Sequence, residues 1–122
     1  MAAPNLQSPT TITGRTTAFN LTATTEIVML SNAASSNRAF RVKSVTAGNT
    51  GTTGTVDVTL RYYTATSGGT AFPFPAITVP VGGSVILIGA ENPTWIEEDR
   101  RLSIQASAAN FATVILSYED VT

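Results

Sequence analysis

Apolar residues along this chain recur at every second position, and no stretch carries a helical stripe of useful length. The cleanest segment is TVDVTLRYYT, where Val56, Val58, Leu60 and Tyr62 share one face and Asp57, Thr59, Arg61 and Tyr63 the other. RAFRVKSVTA alternates in the same way, with Phe40 and Val42 set against Arg41 and Lys43. Val45 then falls out of phase, which predicts a bulge or bend near Ser44. Upstream, AFNLTATTEIVML pairs Phe19 with Leu21, Ile27 with Met29, and Val28 with Leu30. Downstream, RLSIQASA keeps Leu102, Ile104, Ala106 and Ala108 in step, and ATVILSYED does the same for Val114, Leu116 and Tyr118.

Between these segments lie turn-forming clusters: SNAASSN, GNTGTTG with glycines available for positive φ, SGG, VGG and a short ANF connection read as a hairpin. AFPFPAITVP holds three prolines, which bars a helix and predicts an edge strand or extended loop. SVILIGAE, apolar on both sides, reads as a strand covered on both faces. Turn signals every 8–12 residues are the spacing of a sandwich or barrel. The expected fold is therefore all-β, an antiparallel two-sheet sandwich of about eight strands, jelly-roll-like, with an immunoglobulin-like arrangement as the alternative. Residues 1–13 read as an extended N-terminal arm bearing Pro4, Leu6 and Pro9, and residues 14–122 as a single domain.

Composition narrows the function. The 122 residues contain no cysteine and no histidine, which removes thiolate chemistry, the commonest general base and the commonest transition-metal ligand. A formal net charge of -1, with a single lysine, offers no cationic footprint for nucleic acid. No apolar run is long enough for a membrane helix. Neither a nucleophile elbow nor a phosphate loop is present, so no catalytic residue, cofactor, metal or small-molecule substrate is expected, and the chain reads as a non-enzyme.

Charge concentrates in NPTWIEEDRRLSIQAS, where five charged residues run from Glu97 to Arg101. Adjacent strand positions point to opposite faces, so these acids do not form a convergent pair for glycoside chemistry, nor do they carry the spacing of a calcium loop. The run reads as a turn between two strands, with Glu98 and Arg100 as candidate contacts to a neighbouring copy. Phe72, Phe74 and Trp95, with Tyr62 and Tyr63, read as core or subunit contacts, with glycan stacking as an alternative. From Tyr62 to Ala90 no charged residue occurs, which predicts surface buried against other protein and a homo-oligomer, expected to be a trimer.

The opening MAAPN with its T-I-T-G turn, the central TVDVTLRYY and above all the tail PTWIEEDRRLSIQASAANFATVILSYEDV resemble small virion structural proteins of tailed phages that infect cyanobacteria and other aquatic bacteria. The likeness covers most of the chain at the level of pattern. It implies a particle component located in the virion and assembled in the host cytoplasm, a head decoration or cement protein that contacts the major capsid protein and copies of itself. A tail, neck or fibre module, with glycan binding through Phe72, Phe74 or Trp95, is the alternative. The Arg100-Arg101 pair departs from the Gly- or Ser-like turn expected there.

Overall fold

A computed structural model describes residues 7–89 and 91–122. Pro4 and Leu6 lie outside the described residues. Ten strands are present among those described, and no helix. They are β1 (Ile12–Leu21), β2 (Ile27–Asn32), β3 (Ala39–Asn49), β4 (Val56–Tyr63), β5 (Ala71–Pro73), β6 (Ile77–Val79), β7 (Ser84–Ile88), β8 (Thr94–Ile96), β9 (Arg100–Ala106) and β10 (Ala112–Val121).

Two antiparallel sheets face each other, one ordered β1-β10-β3-β7 with β8 also on β3, the other β2-β9-β4-β5 with β6 also on β4. β7 and β8 pair with successive halves of β3 and so form one interrupted edge path, and β5 and β6 do the same along β4. Counted as paths, the described residues form eight strands ordered 1-8-3-6 and 2-7-4-5, a jelly roll of two Greek keys. The expectation of a two-sheet antiparallel sandwich therefore holds.

The inward faces follow from the alternation. Val56, Val58 and Leu60 of β4 meet Leu102 and Ile104 of β9, and across the sandwich Val42, Val45, Val114, Leu116 and Ile96 close the core, all essentially inaccessible to solvent. Each such side chain contributes about 1.5–3 kcal/mol through removal of apolar surface from water. The predicted break near Ser44 is a bulge in which Lys43 is the extra residue: Ser117 faces Ser44, and Tyr118 then faces Val42. A second bulge at Met29 corrects the pairing of faces read from the sequence. Val28 opposes Ser103 while Leu30 opposes Leu102, so Leu30 turns inward and both Met29 and Leu30 are buried.

Other expectations are corrected. T-I-T-G is strand rather than turn, because Ile12, Thr13 and Gly14 pair with Val121, Asp120 and Glu119, and β1 thus begins within the segment read as an arm. The ANF connection is no hairpin, since β9 and β10 belong to different sheets and Asn110 bonds back to Leu21 instead. β7 is not covered on both faces: it is an edge strand whose Ile86 is 67% exposed. The GNTGTTG glycines hold no positive φ; at Gly51 a Cβ would stand 3.0 Å from the Phe111 ring, which would have to shift to admit one. The proline-bearing segment does form an edge, as β5 and β6.

Two buried asparagines tie the ends of the sandwich. Asn32 Nδ2 donates to Arg38 O at 2.8 Å and Ile96 O at 3.0 Å, while its Oδ1 accepts from Ser36. Asn49 Nδ2 donates to Gly54 O at 2.9 Å and Val79 O at 3.0 Å, and its Oδ1 accepts from the Gly51 N–H. Each satisfies backbone carbonyls that the sheet ladders leave unpaired.

Candidate functional site

The charge run is placed by β8 and β9. β8 ends at Ile96, residues 97–99 turn, and β9 begins at Arg100. Asp99 adopts φ 57°, a left-handed conformation that aspartate tolerates, and its N–H donates to Asn32 O at 2.8 Å. Its carboxylate accepts the Thr66 N–H at 3.1 Å and the Thr66 hydroxyl at 2.9 Å, and these bonds, the backbone one foremost, hold its carboxyl below the usual range. Arg100 Nη1 donates to Thr64 O at 2.8 Å. Arg101 Nη1 donates to Ala65 O at 2.6 Å and Gly68 O at 3.1 Å, and its guanidinium lies 3.7 Å over the Tyr63 ring.

Three consecutive charged residues thus fasten the 64–70 connection between β4 and β5. Glu97 points to solvent, and Glu98 is half-buried, with Oε1 enclosed and without a hydrogen-bond partner in the protein. Among the described residues no group of three or more acidic, histidine or cysteine side chains is placed to hold a metal.

A second polar cluster, not singled out from the sequence, lies on the outer face of the β2-β9-β4 sheet. Cross-strand pairing sets Arg61 opposite Ser103 and Thr59 opposite Gln105. Glu26, from the connection preceding β2, reaches over them: it accepts from the Ser103 hydroxyl and from Tyr63 Oη at 2.6 Å, with Arg61 Nη1 at 3.8 Å. Arg61 Nη1 also donates to Gln105 Oε1 at 2.7 Å, and Gln105 Nε2 to Thr24 O at 2.9 Å. Burial pushes the Glu26 carboxyl up, but the bonds from Ser103 and Tyr63 and the charges of Arg61 and Arg101 outweigh it and leave it below the usual range. The bond to Glu26 in turn raises the Tyr63 phenol. Ser103 is fully buried and the Tyr63 ring face is covered by Arg101, so the cluster stitches a surface and presents no exposed nucleophile. The sequence holds no signal for it, because Glu26, Tyr63 and Ser103 are far apart along the chain.

Of the aromatic residues singled out from the sequence, Phe72 is set opposite Tyr62, while Phe72, Phe74 and Trp95 lie apart from one another. Phe72 stands 57% exposed beside Tyr62 on the β5 edge. Phe74 packs against the core and lines, with Ile86, Leu87 and Ile88, a groove of about 530 Å³. Trp95 lies opposite Arg41 on the outer face of the other sheet, where it shares a groove of about 210 Å³ with Pro9, Ile12 and Glu119. Glu119 is paired there with Arg41 at 3.1 Å.

The charge-free stretch forms one lateral side of the sandwich: β5 and β6 along one sheet, β7 along the other. Phe72, Val81 and Ile86, three of the six exposed large hydrophobic residues among those described, fall in it. Across the outer face of the β1-β10-β3-β7 sheet, register places Ala18, Ile115, Thr46 and Ile86 in one uncharged row, in which Ile115 is 51% exposed.

No protein-family model matches the sequence, and no curated protein matches it. Among solved structures the chain is similar to one described by the words "Bacillus endospore appendages form a novel family of disulfide-linked pili", with a TM-score of 0.55 and 18% identity, covering 100% of this chain and 97% of that one. At that identity the likeness is one of fold. The disulfides named for those pili have no counterpart in this sequence, which contains no cysteine.

Proposed function

We propose that this chain is a non-enzymatic structural subunit of a particle, a head decoration or cement protein of a tailed phage that binds copies of itself and the capsid shell. The observation that carries the reading is the charge-free side of the sandwich, with Phe72, Val81 and Ile86 exposed on it. Large apolar side chains left exposed along one side are costly in a lone soluble domain and are usual where protein meets protein. The charged clusters support the same reading, because Arg100, Arg101, Glu26 and Arg61 are spent on the chain's own backbone and side chains. Many copies, each making modest contacts, would clamp a shell through multivalency.

The test is quantitative mass spectrometry of purified particles, referenced to the shell protein. Copies on the order of hundreds per particle are expected for decoration, summed as multivalent binding requires. About a dozen copies would place the chain in the tail or neck, and absence from particles would end the reading. Ile86→Lys, on the exposed apolar side, is expected to lower particle occupancy while leaving the melting temperature of the free protein unchanged.

A further inference from the structure

Among the described residues β1 is the longest edge strand of either sheet, ten residues with one side unpaired. Thr122 N–H donates to Thr11 O at 2.9 Å, and the register on β10 runs unbroken from Ile12 opposite Val121 to Leu21 opposite Ala112. Bonding direction alternates along an antiparallel ladder, so Thr13, Arg15, Thr17, Phe19 and Leu21 bond to β10. Ile12, Gly14, Thr16, Ala18 and Asn20 therefore turn both N–H and C=O to the open side, a straight row about 27 Å long at strand rise.

Natural sheets guard such edges with prolines, bulges, charges or brevity. The β5-β6 edge has Pro73 and Pro75 and breaks between its two strands. β7 is only five residues long and carries a register shift, and β2 is six residues long and also bulged. β1 has no proline and no bulge, and residues 12–18 are exposed on both faces. Its one charge, Arg15, turns back onto buried Asp120 at 3.4 Å, which Arg38 also holds at 2.6 Å.

We propose that β1 pairs with β1 of a second copy, antiparallel, across a two-fold axis at Thr16. The outward residues are symmetric about Thr16: Ile12 would face Asn20 of the partner subunit, Gly14 its Ala18, and Thr16 its Thr16. All the free groups of both strands are then used in one register, ten hydrogen bonds in a continuous sheet. Arg15 falls opposite Thr17 of the partner subunit, so no like charges meet. The open backbone groups call for a strand, and a second copy brings one of matching length and neutrality. The inference rests on the assembly reading above and specifies a two-fold contact in place of the expected trimer.

The test is sedimentation equilibrium from low micromolar to on the order of 100 µM, where a dimer is expected. Ala18→Pro removes one outward N–H from each strand and leaves every bond to β10 in place, a position where edge strands accept proline. It is expected to weaken the dimer at least about 100-fold, with the fold intact by circular dichroism. Hydrogen exchange on the unaltered protein gives a readout free of any folding defect. The amides of Thr16, Ala18 and Asn20 should slow as concentration rises, while those of Thr17 and Phe19 stay constant. A monomer throughout, a trimer, a folded Ala18→Pro protein that dimerises normally, or free exchange at Thr16 and Ala18 within an oligomer would each overturn the proposal. An oligomer built elsewhere would leave the structural-subunit reading standing, since that reading is tested on particles.

Discussion

Replacing Asn32 with alanine should cost more stability than any exposed substitution on this sandwich. The residue is 1% exposed and its side-chain amide donates to two carbonyls, Arg38 O just before β3 and Ile96 O at the end of β8. Asn32 itself ends β2 in the opposite sheet, and its own carbonyl accepts from Asp99, so one residue fixes the point where the chain passes between layers. Alanine removes three hydrogen bonds, two donated by Nδ2 and one accepted from Ser36, each worth about 1 kcal/mol net, for a total of about 3 kcal/mol. For a chain of this length that corresponds to a drop of about 10–15 °C in Tm. Ser36→Ala, which removes only the donor to Asn32 Oδ1, should cost about 1 kcal/mol or less. The assay is urea unfolding followed by circular dichroism, comparing midpoints at constant m-value. If Asn32→Ala unfolds within about 0.5 kcal/mol of the parent, the carbonyls are satisfied some other way and the reasoning fails.

Acid should weaken the outer face of the β2-β9-β4 sheet. The Glu26 carboxyl is lowered in the folded state, so its contribution is present above the unfolded value of about 4.3 and is lost as pH falls through the folded one. Glu26→Gln should flatten the acid limb of the stability curve, and parallel curves for the two proteins between neutral and acid pH would refute this. Arg101→Met should free the 64–70 connection by losing the Ala65 and Gly68 carbonyls and the Tyr63 ring, costing about 1–2 kcal/mol. Faster amide exchange confined to that connection is the expected signature; exchange that spreads through the core strands would count against a local clamp.

Much of this architecture is readable in the order of residues. β4 alternates without a fault, the prolines of AFPFPAITVP mark an edge, and Val45 out of phase with Val42 announces the Lys43 bulge. What escapes is whatever depends on distant partners. SVILI looks the same whether it is covered on both faces or left with Ile86 exposed at an edge, since periodicity does not report neighbours. Asn32 and Asn49 sit among Ser, Ala and Gly and so read as turn residues, although both are buried. The run from Glu97 to Arg101 is recognisable as a turn, yet its use as a clamp on residues 64–70 requires the fold, as does the meeting of Glu26 with Ser103.

The pairing of β1 with β10 also bears on how the chain reaches this state. Ile12 meets Val121, so the first strand cannot complete its sheet until the last has left the ribosome, on the order of ten seconds later at usual synthesis rates. Most strand pairings here join distant segments; only β4 to β5 and β6 is a local return. Such a topology folds slowly, after synthesis rather than during it. In that interval β1 lacks its β10 neighbour, and the backbone groups along both of its sides stay open to water.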